Sequence, residues 1–150
     1  MITVVQRVIR AAVRVDEAVV GEIGRGALLL VGVERGDGEA DADATAAKIA
    51  KLRFFPGATP MDRTLAQVGG ACLVVSQFTL AAAVAKGNRP SFTAAEDPAR
   101  AEALYLRVVD GLAAHGLPVA TGSFGAKMAV ELVNDGPVTL LVPCRDGRVR

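Results

Sequence analysis

Residues 2–15, ITVVQRVIRAAVRV, are rich in β-branched side chains, with Gln6, Arg7, Arg10 and Arg14 set among the apolar positions. That pattern predicts a long bent strand or two collinear ones. Asp16 and Glu17 supply a turn, Val19 to Ile23 a returning strand, and Gly24 and Gly26 flank a second turn before the apolar ALLLVGV at 27–33. The simplest reading is an antiparallel meander. The glycines at 21, 24 and 26 do not read as a nucleotide loop, which must lie between a strand and a helix, because another apolar strand follows them at once.

The period changes at Glu39, after which Ala42, Ala46, Ile49 and Leu52 share one helical face and Asp41 and Asp43 sit near the positive end of the dipole. This helix ends near Arg53. Residues 56–70 hold two prolines and three glycines with little periodicity, an ordered loop beside a short strand containing Phe54 and Phe55. ACLVVSQF at 71–78 reads as a buried strand and AKGNRPS after it as a polar loop. Asp97 caps a second helix that begins at Pro98, carries Leu104, Val108 and Leu112 on one stripe, and stops at Gly116. Two further strands, Lys127 to Val133 and Val138 to Val142, are joined by a tight NDGP connection. No linker or internal repeat divides the chain, which reads as one domain over residues 1–150 with a short polar tail at 144–150.

At 150 residues and 51% apolar, with five Phe and one Tyr as its aromatics, the chain has material for a core of Val, Leu, Ile and Ala that needs neither disulfide nor structural metal. Charged residues interrupt every candidate membrane span. The segment MITVVQRVIR alternates rather than presenting a basic stretch followed by an apolar block, so no secretory signal is read, and a cytoplasmic location is the default expectation. Cys72 and Cys144 lack metal-ligand or redox spacing. The formal net charge of +1 argues against nonspecific coating of nucleic acid while leaving room for local phosphate contacts.

His115 is the single histidine, placed in the last turn of the second helix, so a Ser-His-Asp triad and histidine-ligated metal sites lose their usual central residue. The acidic run Asp37, Glu39, Asp41 and Asp43 reads as a solvated helix entrance. No metal or cofactor is expected. An enzyme built from this chain relies on orientation, backbone dipoles and hydroxyl or amide groups, which suffices for an already reactive ester. Three polar sites stand out. Ser76, Gln77 and Thr79 crowd the end of the strongest buried strand, their hydrogen-bonding groups satisfied either internally or by a ligand. In KGNRPSF at 86–92, Lys86 and Arg89 either meet phosphates or decorate a solvated loop. In NDGPVT at 134–139, Gly136 and Pro137 form either an ordinary turn or a point where backbone carbonyls approach a ligand closely.

These strings resemble the D-aminoacyl-tRNA deacylase family in QRV at 6–8, GEIGRG at 21–26, VVSQFTLAA at 74–82, KGNRPSF at 86–92, RAEALY at 100–105 and FGAKMAVELVNDGPVT at 124–139. The resemblance implies a three-layer α/β fold with antiparallel-rich sheets and two main helices, and a homodimer with active sites at the subunit interface. It implies hydrolysis of D-aminoacyl-tRNA and mischarged glycyl-tRNA, that is, chiral proofreading. By the same resemblance, Gly136 and Pro137 are joined by a cis bond and project toward the partner's pocket to reject L side chains, while Ser76, Gln77, Phe78 and Thr79 frame the terminal adenosine and the aminoacyl ester. Catalysis goes either to Thr79 as nucleophile or to the ribose 2′-hydroxyl assisting water, and the absence of a base in the motif favours the RNA, with Gln77 and Thr79 positioning the ester. The loop FPGATPMDRT at 55–64 and the tail CRDGRVR at 144–150 depart from the family pattern. Competing functions are a noncatalytic aminoacyl-tRNA-binding module and a structural dimer.

Overall fold

In the computed structural model, which describes residues 1–150, β1 (Ile2–Val15) is one long strand occupied on both edges. β6 (Ala129–Arg145) runs antiparallel along one edge. On the other edge lie β2 (Ala18–Ile23) and β3 (Gly26–Gly32), both antiparallel to β1. The pairs Ala11↔Ile23 and Val8↔Gly26 keep one register, so the chain kinks at Gly24 and Arg25 instead of reversing. The expected meander is therefore wrong beyond its first turn. The outer edge of β3 is needed by β4 (Ala71–Ser76), which pairs with it in parallel, and β5 (Val119–Thr121) adds to β4 in parallel. The order across the sheet is β5-β4-β3-β1-β6-β7, where β7 is Arg148–Val149.

The segment expected to be two strands joined by a tight turn at NDGP is the single strand β6. Both halves pair with the same edge of β1 in the same direction, so there is no reversal to make. What NDGP produces is a slip: between Gln6↔Thr139 and Val8↔Asn134, Arg7 alone faces residues 135–138. Pro137 has no N–H for the ladder. The Asn134 side chain fills the gap, its Nδ2 donating to the Arg7 carbonyl at 2.9 Å and to the Val138 carbonyl at 3.1 Å.

The helices α1 (Glu39–Lys51) and α2 (Pro98–Ala114) fall where the 3.6 period places them. Asp97 Oδ1 accepts from the Ala99 N–H at 3.1 Å, and Gly116 leaves α2 at φ +80°. The helices meet closely because Gly111 faces Ala46: a Cβ on Gly111 would lie 2.7 Å from that of Ala46. Together they cover one face of the sheet over the larger core, which includes Leu29, Val74, Ile49 and Leu112. The opposite face curls around a second cluster of Val8, Ala11, Val13, Leu28, Leu73 and Val75. Curling brings β2 against β5, where a Cβ on Gly21 would stand 2.2 Å from the Thr121 carbonyl oxygen. The result is a helix layer and a sheet folded into two, an α/β architecture of three layers. No helix is long and apolar enough to cross a membrane.

Only half of the acidic run is the solvated helix entrance that was expected: Glu39 and Asp43 are exposed. Asp37 and Asp41 are buried, because each finds cationic or N–H partners inside. Asp37 Oδ1 accepts from the Met1 ammonium at 2.6 Å and from Arg145 at 2.8 Å, and Asp41 Oδ2 accepts from the Gly38 N–H at 2.8 Å. Asp41 Oδ1 reaches the Gly147 N–H at 2.9 Å, which ties the C-terminal hairpin to the start of α1. The polar tail is accordingly ordered: Cys144 is buried and β7 folds back on β6. Burial works against the charge of Asp41, but the N–H groups of Gly147 and Gly38, with the ammonium and Arg145, outweigh it and hold its carboxyl below the usual range.

Two outcomes follow from this packing. Gly21→Val wedges β2 off β5 and lowers stability by at least about 1–3 kcal/mol in denaturant melts, whereas Val19→Thr on the exposed face leaves the midpoint nearly unchanged. Asp41→Asn costs about 1–3 kcal/mol at pH 7, since the amide keeps one acceptor and sets a donor against an N–H. A depressed carboxyl contributes stability above the ordinary aspartate value of about 3.9 and loses it as pH falls through its own lower value. The gap between wild type and variant therefore closes below about pH 3.9, which melts across a pH series read directly.

Candidate functional site

β3, β4 and β5 are the parallel part of the sheet, and their carboxyl ends open into one cavity, as crevices in parallel sheets generally do. Its volume is about 300 Å³. Val31 and Val33 come from the end of β3, Ser76, Gln77 and Phe78 from the end of β4, Pro98, Ala101 and Tyr105 from the first turns of α2, and Phe124 and Gly125 from the loop after β5. The wall is mostly apolar with a few polar groups converging on it, the make-up of a small-molecule subsite.

Strand β4 stops at Ser76, not at Phe78 as the apolar run suggested, since Gln77 leaves strand geometry after its N–H donates to the Val31 carbonyl at 2.8 Å. Phe78 to Ala81 form a single 3-10 turn. Thr79 stands exposed on it, and Gln77 Nε2 donates to Thr79 Oγ1. The turn and loop hydrogen bonds of the backbone use neither the Phe78 nor the Thr79 N–H as donor. Tyr105 Oη donates to the Val74 carbonyl at 2.8 Å, and burial pushes its hydroxyl up to about 12, so it serves as a fixed neutral prop under β4. Glu96 also lines the cavity, but its Oε1 accepts from the Asp97 N–H at 2.9 Å and its Oε2 lies 3.4 Å from Arg100 Nε.

Thr79 Oγ1 is hydrogen-bonded to Gln77 and to no titratable group. His115 caps the far end of α2, ten residues beyond Tyr105 and so about 15 Å further along the helix axis. Cys72 is buried with its thiol pushed up to about 12, and burial first, then the carboxylates of Asp41 and Asp37, raise that of Cys144, so neither offers a thiolate. Lys86 and Arg89 are exposed on the loop that Ala83 and Ser91 close by mutual backbone bonds of 2.8 and 3.0 Å, and neither forms an ion pair or lines the cavity.

Gly136 and Pro137 lie elsewhere. Their peptide bond is cis, and both residues are exposed. They do not line the cavity. β6 stands three strand positions from β4, on the order of 14 Å across a sheet, so one subunit keeps the two motifs apart. Arg7, 8% exposed, secures the projection from below. Its Nε sits 2.9 Å from Asp135 Oδ2 and donates to the Asp135 carbonyl at 3.2 Å; a terminal nitrogen donates to the Phe54 carbonyl at 2.7 Å. Phe55, from the divergent 55–64 loop, lies under its guanidinium at 5.9 Å.

Of the residues singled out in the sequence, Ser76, Gln77 and Phe78 line the cavity and Thr79 sits on the turn that follows, while Tyr105, Phe124 and Glu96 in the wall and Arg7 beneath the projection were not singled out. Tyr105, Phe124 and Arg7 all sit within strings that carried the family resemblance, RAEALY, FGAKMAVELVNDGPVT and QRV, which was the available signal; nothing in the sequence pointed to Glu96.

The family model described as D-Tyr-tRNA(Tyr) deacylase matches residues 4–143. A D-aminoacyl-tRNA deacylase of Paracoccus denitrificans is 54% identical over 147 residues, covering 97% of this chain and 99% of that one. One from Anaeromyxobacter dehalogenans is 56% identical over 146 residues, covering 97% and 98%. Among solved structures, a c-Myc DNA Unwinding Element Binding Protein superposes with a TM-score of 0.90 at 35% identity over 97% of this chain and 99% of that one. A probable eukaryotic D-amino acid tRNA deacylase shares the fold, with a TM-score of 0.78 at 17% identity over 93% and 97%. With the SQFTL turn at the cavity lip and NDGPVT on the Arg7-held projection both inside the matched span, the chain belongs to the D-aminoacyl-tRNA deacylase family.

Proposed function

We propose that this chain hydrolyses the ester between tRNA and a D-amino acid, working in the cytoplasm as a homodimer in which the partner's Gly136 and Pro137 complete each cavity. The observation that carries the reading is that Ser76, Gln77 and Phe78 of the family string SQFTL line the largely apolar cavity, with Thr79 on the turn that continues from Phe78. The separation of that cavity from Gly136 and Pro137 within one subunit supports a site assembled from two.

In this reading the terminal adenosine enters the cavity and its ester rests on the turn at Phe78 and Thr79. Water attacks the carbonyl carbon, and the two free N–H groups of the turn receive the developing oxyanion. The C–O bond to the ribose 3′-oxygen then breaks, the departing oxygen takes a proton, and free amino acid and tRNA leave. The Thr79 hydroxyl already accepts from Gln77 and bonds to no titratable group, so the 2′-hydroxyl of the ribose orients and activates the water while Gln77 and Thr79 hold the ester. Lys86 and Arg89 meet RNA phosphates. Single-turnover rates separate these roles. A terminal 2′-deoxy substrate should react at least about a hundredfold more slowly, and Thr79→Ala should lose less. Normal cleavage of the deoxy substrate with abolition by Thr79→Ala, binding and folding intact, would transfer the chemistry to the threonine.

Chirality follows from exclusion. Gly136 has no Cβ, so its backbone can approach the aminoacyl α-carbon from the partner and occupy the space an L substituent needs, while a D substituent points to the open side and glycine has none to exclude. Several D-aminoacyl esters and the glycyl ester should therefore turn over at saturation, and matched L esters should bind through their RNA but react at least about a hundredfold more slowly. Equal D and L rates in the intact dimer would end this assignment. Tight binding of D-aminoacyl-tRNA without any turnover would favour the noncatalytic module instead.

A further inference from the structure

Phe78 is 58% exposed and Phe92 37% exposed, and their rings meet edge to face, with centroids 5.2 Å apart and planes at 68°. Phe78 is part of the cavity wall and Phe92 is not, so the pair runs from the lip of the cavity outward over the surface. The segment that carries them holds two charged residues between Gln77 and Glu96, Lys86 and Arg89, both cationic, exposed and without an ion-pair partner. Val84, 71% exposed, lies in the same segment. An exposed aromatic pair on a segment whose only charges are unneutralised cations matches the chemistry of single-stranded nucleic acid: every base offers a π-face and every linkage a negative charge. A second copy of the chain, which in the reading above reaches the cavity through Gly136 and Pro137, fits the loop that carries Lys86, Arg89 and Phe92 less well. Interface centres are depleted of lysine, and two such loops meeting symmetrically would set like charges together.

We propose that Phe92, braced by Phe78, is a stacking platform for the base of the nucleotide that precedes the terminal adenosine, with Lys86 and Arg89 on the adjoining phosphates. The proposal rests on the reading above that the cavity takes the terminal nucleoside. Continuity of the phosphodiester chain then puts the preceding nucleotide at the lip, where the aromatic pair lies. Stacking is tolerant of base identity, so the platform secures any unpaired 3′-end and adds reach without adding sequence preference.

The test compares three probes for binding to wild type and to Phe92→Ala: an unacylated RNA minihelix with an unpaired 3′-end, the same RNA with an abasic penultimate nucleotide, and a D-aminoacyl adenosine amide analogue. Phe92→Ala should weaken the intact RNA by between about fivefold and a hundredfold. The abasic RNA should bind wild type just as weakly and lose little more in the variant, and the nucleoside analogue should bind both proteins alike. Phe92→Tyr, which keeps a π-face, should restore binding of the intact RNA. An intact RNA that binds the variant as tightly as wild type overturns the platform. Equal loss for the nucleoside analogue also overturns it, since Phe92 would then shape the cavity, and so does a changed sedimentation coefficient of the variant, which would assign the surface to contact between copies. Because the RNA arms carry no amino acid, a wild type that hydrolyses no D-ester yet keeps the dependence on the penultimate base removes the catalytic reading and leaves the platform standing.

Discussion

Arg7 occupies the larger of the two places where the two longest strands of the protein fall out of step. β1 and β6 pair over most of their length, yet four residues of β6 pass while Arg7 alone passes on β1. A buried guanidinium is costly unless its N–H groups are met. Here a carboxylate, two backbone carbonyls and an aromatic face meet it, and these partners come from both β6 and the loop after α1. The slip that exposes Gly136 and Pro137 is thereby fixed to the sheet and, through the Phe54 carbonyl, to the helix side of the core. A lysine there would supply charge without the fork that satisfies separate acceptors at once.

The rest of the sheet divides around β1. To one side the strands are antiparallel and carry the projection; to the other β3, β4 and β5 are parallel and their ends make the cavity. Parallel pairing requires crossovers, and α1 and α2 are those crossovers, so the same segments that close the core also bring Pro98, Ala101 and Tyr105 to the cavity wall. At the opposite end of α1, the Met1 ammonium, Asp37, Arg145 and the hairpin ending in β7 lock both termini of the chain to one helix. Removing a member of such a buried ionic group leaves another uncompensated, at a cost of about 3–5 kcal/mol in comparable cases.

Both helices and most strands were legible in the sequence, because capping residues and the 3.6 and 2 periods are local signals; the short strand expected at Phe54 and Phe55 is only an isolated bridge from Phe55 to Arg63, and the three-residue β5 was not read. Pairing partners were less so. Nothing near Gly24 distinguishes a kink from a hairpin; the decision lies with β4, nearly fifty residues later, which claims the free edge of β3. NDGP carries the composition of a turn, and only the neighbour β1 converts it into a slip within one strand. The buried half of the acidic run looked solvated because its counter-charges, the Met1 ammonium and Arg145, are distant in sequence. At the site, Ser76 to Thr79 announced themselves as polar groups at the end of a buried run. Glu96 did not, since a carboxylate preceding a helix cap is indistinguishable from ordinary surface charge until the cavity forms beside it.

Both cysteines lie in the interior, one within β4 and one near the end of β6, and burial disfavours the thiolate at each. The folded surface is therefore silent toward thiol-directed reagents. A single cysteine introduced in place of Asn88, on the exposed loop between Lys86 and Arg89, becomes the one accessible thiol of the molecule, so a fluorophore can be placed on that loop without any background labelling to subtract.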